Sequence, residues 1–278
     1  NWNDVNTWSL TSGGASAGAV PGTGDDVILV SGHQITVTAN AAAKTILFNS
    51  TNNILTVNAG FTFTIANTGN ITLDSSNSND RIATLAGGGT INTPALIVGT
   101  NANPNTSDYT TVLTSTVANL NISGNLSLIS RRSGTNNNAA FNLESGILNL
   151  DGQVITTNQN ALNTSTFSMA SGAQSATLLL ANATPFPLPG VGTSTINLNG
   201  NASTVNYDGT VNQAVYTTQY NNLISSGSAN KTVSGNITVS KDFTISGGTF
   251  VLNSATSYVF RILGNYNQTG GVVDFNAG

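Results

Sequence analysis

Two adjacent acids, Asp25-Asp26, precede the only histidine of the chain, His33. Carboxylates near an imidazole can pass protons to and from a substrate, so this trio invites an enzyme reading. A lone histidine, however, builds neither a multi-histidine metal site nor a pair of imidazole bases. Acids ahead of a strand also accept backbone N–H groups and shape a turn. The turn reading is preferred, with His33 as an exposed turn residue. Arg131-Arg132 is the only adjacent basic pair. Guanidinium groups match carboxylate oxygens two at a time, so the pair suits an acidic sugar. Glu144 and Asp151 follow closely enough to take these arginines as surface ion pairs, and that reading is preferred. Asp74 and Asp80 flank Ser75–Asn79 and offer oxygen ligands to calcium. The regular acidic repeat of calcium-binding solenoids is missing, so these two are the single candidate metal position. No other cofactor is indicated.

Such residues need a frame, and composition restricts it. The chain has 278 residues, of which 38% are hydrophobic and 6% charged, against about 25% charged in an average domain. Asn, Ser, Thr and Gly must therefore keep the surface wet. Many Ile, Val, Leu and Thr with little charge suit β structure, not disorder. The net charge is -4 and the basic residues are scattered. No basic stripe exists to displace counterions from nucleic acid, and no polybasic patch to hold a membrane surface. No apolar run reaches the roughly 18 residues of a membrane span. The absence of cysteine excludes disulfides, thiol catalysis and Cys-ligated zinc. The opening "NWNDVNTW" has no signal-peptide pattern, and the expectation is a mature protein or a cut fragment.

Alternation of apolar and small polar residues recurs throughout. "HQITVTA" sets Ile35 and Val37 on one side, and "FTFTIA" aligns Phe61, Phe63 and Ile65. This period of two predicts half-buried strands. No stretch has helical spacing; "NAAAKTIL" comes nearest and is short. Glycines at 124, 146, 172, 200, 227, 247 and 271 punctuate the strands at intervals of 20 to 28 residues. Such a period marks a solenoid, with two or three strands per coil. The expectation is an all-β chain, residues 1–278, folded as one parallel β-helix of about eleven or twelve coils. It would be about 55 Å long at the usual strand spacing. Ile237 with Val239, Phe243 with Ile245 and Phe250 with Leu252 would point inward. Asn side chains at corners would stack as ladders. "NATPFPLPGVG" (182–192) and "NANPNTSDY" (101–109) read as loops bulging from coils.

Two stretches resemble the secreted surface proteins of Bacteroidota that leave by the type IX secretion system. "WNDVNTWSLTSGGASAGAVPGTGDDVILVSGHQITVTANAAAKTILF" (Trp2–Phe48) is similar to their amino-terminal module. "YNNLISSGSANKTVSGNITVSKDFTISGG" (Tyr220–Gly248) is similar to their repeats. The resemblance implies export, a cell-surface or extracellular location and an adhesin-like β-helical role, not a reaction. Such proteins normally end in a sorting domain of charged and aromatic strands, whereas this text stops at "GNYNQTGGVVDFNAG". Removal of that domain, or a longer parent chain, is the expectation.

A solenoid needs covered ends. Trp2 and Trp8 are expected to cap the first coil, within an amino-terminal capping region Trp2–Phe48. The carboxy end reads as uncapped, with Val272, Val273 and Phe275 as stacking residues. Another copy, stacked end to end, or further repeats of the same parent chain would be the partner there. The function expected is structural and non-enzymatic: an adhesin stalk, or the subunit of an extracellular fibre. The alternative is a β-helix that binds or cleaves polysaccharide, with surface glycans as partners. Ice binding is a further alternative. It asks for Thr-X-Thr in every coil, as in "FTFTI", yet other strands read "LSLIS", "LNLDG" and "FVLNS".

Overall fold

The computed structural model of the chain describes residues 1–30, 32–74, 80–100, 109–130, 137–187, 192–252 and 258–275. The named strands pair in parallel with the equivalent strands of neighbouring coils. Three strands make one coil, and like strands stack into three faces. The third face is one uninterrupted ten-stranded sheet from Ala41–Ala43 to Tyr266–Gln268. The fold is therefore a parallel β-solenoid.

The first and second faces each change partway. The first carries six strands, Asp26–Leu29 to Val154–Asn158, then four, Gln213–Val215 to Val272–Asp274. Between them a non-strand segment carries the wall. Val154 N–H donates to Pro185 O and Ala214 N–H to Ala183 O, both at 2.8 Å. Phe186 of this segment is buried against Phe167 and Tyr216. The proline-rich stretch thus runs within the coil through residue 187 and does not bulge from it. The other expected bulge, 101–109, lies outside the described residues except for Tyr109. The second face carries seven strands, Gln34–Val37 to Thr193–Asn197, then three, Gln219–Tyr220 to Phe260–Ile262. A single bridge, Leu198 to Tyr220, links the two sets.

The coil count of eleven or twelve is corrected by this topology. The third face holds ten strands, and nine steps of about 4.8 Å give a length of about 43 Å. Two physical reasons account for the difference. Residues before Asp26 close the first coil and do not wind. The repeat is also uneven, from 18 residues between Thr204 and Asn222 to 30 between Gly146 and Ala176. The glycine spacing blurred this because the glycines occupy two corners. Gly146 opens a third-face strand and Gly172 and Gly200 precede others, while Gly124, Gly227, Gly247 and Gly271 follow such strands.

Stacking in register builds the core. Phe63, Ile91, Leu120, Leu148, Leu178, Val205, Leu223 and Phe243 sit directly over one another along the third face. All are buried, and each such side chain contributes roughly 1.5–3 kcal/mol. Ile237, Val239, Ile245 and Phe250 are buried as well, and Leu252 packs partly against the core. Asn and Asp side chains bracket successive coils. Asn40 Oδ1 accepts from Thr62 N–H at 2.9 Å, Asn125 from Gln153 at 2.9 Å and Asn236 from Val259 at 2.8 Å. Asparagine stacking also occurs away from the corners: Asn121 Nδ2 donates to Asn92 Oδ1 at 2.8 Å on the outer third face. Gly227, Gly248 and Gly271 form a column with φ of +73°, +62° and +63°. A Cβ on Gly271 would stand 2.6 Å from Gly248 O, so side chains are excluded where these corners stack.

Two substitutions test this packing. Phe243→Ala is expected to cost about 3–5 kcal/mol by opening a cavity in the column. Gly248→Ala is expected to lower stability too, through both φ and inter-coil contact, whereas Thr244→Ala on the outer face is expected to stay within about 0.5 kcal/mol. Urea midpoints of the three variants check the order.

Candidate functional site

Asp25, Asp26 and His33 are not brought together. Asp25 Oδ2 accepts Gly22 N–H at 2.8 Å and so closes a turn. Asp26 begins the first strand, 3.0 Å from Lys44 Nζ and 2.8 Å from the Thr45 hydroxyl. The Thr45 and Lys44 hydrogen bonds hold its carboxyl below the ordinary value. His33 is exposed beyond the far end of that strand, across its length from Asp25. Glu144 accepts the N–H and hydroxyl of Ser171 at 3.0 and 2.8 Å, a coil-to-coil bracket. Arg131 and Arg132 lie outside the described residues. Asp80 Oδ1 accepts Thr110 N–H at 2.7 Å, and Asp74 N–H donates to Phe48 O at 3.2 Å. The segment between these two acids lies outside the described residues. Among the described residues, no group of three or more His, Cys, Asp or Glu side chains is placed to hold a metal ion.

The ends differ. Trp2 is buried, with its ring edge-on to Phe63 and Trp8 at 4.5 and 4.6 Å. Trp2 N–H donates to Thr36 O at 2.8 Å, and Trp8 Nε1 donates to Trp2 O at 2.7 Å. Asn3 Oδ1 accepts from Thr38 and Ala39. The amino-terminal segment thereby occupies the outer edge of the second face at its first strand and the corner that follows it. A groove of about 510 Å³ remains beside the first strand, lined by Trp8, Leu10, Val20, Pro21 and Ile28. At the other end Val272 and Phe275 are 56% and 72% exposed, while Val273 packs partly against the core. A second, smaller groove of about 230 Å³ runs along the corner after the third face. Asn67, Asn92, Asn121, Ser123 and Asp151 line it.

Sequence reasoning missed a buried polar cluster where the first two faces change. The hydroxyls of Tyr207 and Tyr220 meet at 2.9 Å, and Tyr216 N–H donates to Tyr207 Oη at 2.9 Å. Gln213 Nε2 donates to Leu180 O and Asn182 O, and its Oε1 accepts Gly209 N–H. Lys231, also buried, donates from Nζ to Gly209 O at 2.7 Å. Burial pulls the Lys231 ammonium below its usual range, with the Asp208 carboxylate opposing the shift. Burial likewise pushes the Asp208 carboxyl up. These contacts satisfy backbone groups left over where the wall lacks a regular strand, so their role is structural. The only sequence signal was tyrosine at inward strand positions, which does not separate this cluster from ordinary core.

Comparison with family models, curated proteins and solved structures gives no match.

Burial pushes the Tyr207 phenol up to about 12 and Tyr220 well above its ordinary value. Both shifts disfavour the ionised form in the folded chain alone. Stability is therefore expected to fall as pH rises above about 10, the unfolded phenol value. Absorbance titration at 295 nm should show these two of the six tyrosines ionising only with unfolding. Tyr207→Phe removes the acceptor of Tyr216 N–H and is expected to cost about 1–3 kcal/mol; a urea midpoint equal to wild type would contradict the cluster's role.

Proposed function

We propose that the chain is a non-enzymatic structural element of an extracellular or cell-surface protein, acting as a stiff stalk. The observation that carries this reading is the unbroken ten-stranded third face with its sealed apolar column. A solenoid of this kind contacts only its neighbours along one axis, so it resists bending and keeps whatever it carries at a set distance. Low charge leaves it with few salt-sensitive contacts. The outside location and type IX export rest on the resemblance of Trp2–Phe48 and Tyr220–Gly248 to secreted surface repeats.

A stalk fits better than a fibre subunit. Uniform end-to-end growth needs both ends open to a neighbouring coil, and Trp2, Trp8 and Asn3 cover the amino-terminal end. The exposed Val259, Leu263, Val272 and Phe275 of the last coil suit contact with further repeats of a parent chain. A carbohydrate-binding role is the second reading. It is favoured by the corner groove, whose amides and Asp151 offer donors and acceptors to sugar hydroxyls.

In cells that make the parent protein, antibody against residues 26–252 is expected to label intact cells, and exchange of that region for an unrelated solenoid of equal length should preserve attachment. Label reaching only lysed cells would overturn the surface location. Loss of attachment on exchange, with retention of neutral glycans by the purified chain, would overturn the stalk in favour of glycan binding.

A further inference from the structure

The outer side of the second face carries a pattern that the linear sequence hides. Four neighbouring strands, Tyr109–Ser115, Asn137–Leu143, Thr164–Met169 and Thr193–Asn197, pair in unbroken register. Their outward positions form three straight columns. One runs Thr110, Asn138, Thr164, Thr193, and the next runs Val112, Ala140, Thr166, Thr195. The third runs Thr114, Asn142, Ser168, Asn197. All twelve residues are uncharged and small; eleven are partly or fully exposed, while Ala140 in the middle column is 5% exposed. Some are tied sideways: Ser168 Oγ donates to Asn142 Oδ1 at 2.7 Å and Thr164 Oγ1 to Asn138 Oδ1 at 3.2 Å.

Several ligand classes have no purchase here. Neither groove borders the array, so a small molecule would find no walls. Among the twelve array residues there is no cationic side chain to pair with phosphate or an acidic polymer. Without outward aromatic rings there is no platform for a base or ring to stack on. The surface instead repeats in two directions, at about 4.8 Å between strands and about 6.7 Å between outward residues of one strand. Six of its twelve positions are Thr, at 110, 114, 164, 166, 193 and 195, each with one methyl and one hydroxyl. A partner that matches is itself flat, neutral, periodic and made of hydrogen-bond donors and acceptors. Ordered water in ice has these properties, and its prism surfaces repeat at similar distances. We propose that the outer second face, between Tyr109 and Asn197, binds ice. Thr methyls would order the adjoining water while the hydroxyls hold it to the crystal.

This assignment is independent of the stalk reading. Purified chain at micromolar concentration is expected to enter a slowly growing ice shell and to keep ice grains small on annealing below freezing. Thr166→Tyr with Thr114→Lys breaks the plane at outward positions, so the fold should survive, as circular dichroism melting would show. The double variant is expected to need about tenfold more protein for the same grain size. Thr177→Tyr, outward on the third face, is expected to match wild type. Exclusion of the wild-type chain from ice overturns the proposal. So does equal activity in the double variant, or equal loss in the Thr177→Tyr control. Retention on crystalline cellulose or chitin without entry into ice would overturn it in favour of a polysaccharide surface.

Discussion

In-register parallel hydrogen bonding between successive coils governs this molecule. Each coil gives its backbone groups to the coils on either side, so every inward residue must sit over its equivalent, about 4.8 Å away. Side chains can then be only what tolerates a close copy of itself. Apolar residues gain by this, as in the column from Phe63 to Phe243. Charges would repel, which fits a chain in which only 6% of the residues are charged.

Asparagine solves the problem that charge scarcity creates. Corners interrupt the ladder and leave N–H groups in need of acceptors. A short amide or carboxylate from one coil reaches the N–H of the next, as at Asn40, Asn125 and Asn236. Glycine does complementary work where backbones meet too closely for a Cβ, as at Gly227 and Gly271. The same constraint explains the buried Tyr207, Gln213 and Lys231. They sit beside the gap in the first face, Tyr207 ending a third-face strand and Gln213 and Lys231 in the first-face strands that resume beyond it, and supply partners to backbone groups there. Burying an ammonium is costly unless it is hydrogen-bonded, and Gly209 O and Ala229 O accept from it.

Much of this was legible beforehand because alternation and solenoid stacking are local rules repeated. The inward residues of "NITVSKDFTISGGTFVL" followed from period two alone, and Ile237 through Phe250 are buried accordingly. Coil number was less legible. Glycine marks a corner without saying which corner, and the coils vary in length. The proline-rich stretch misled for a related reason. Proline argues against a regular strand, yet Ala183 O and Pro185 O still serve the neighbouring coils, and Phe186 still fills the core.

The threonine surface shows the division most clearly. Strands reading "LSLIS" and "LNLDG" interrupted any threonine row when coils were compared in order. In the folded chain they belong to the first and third faces, while "YTTVLTS", "TSTFSM" and "TSTIN" stack on the second. The sequence by itself determined that strands would form, which side of each would be buried, and that coils would pile up, because each depends on neighbours two residues or one repeat away. Only the tertiary structure decided which strands share a face, because that depends on where the chain turns each corner, and corners of unequal length obey no period.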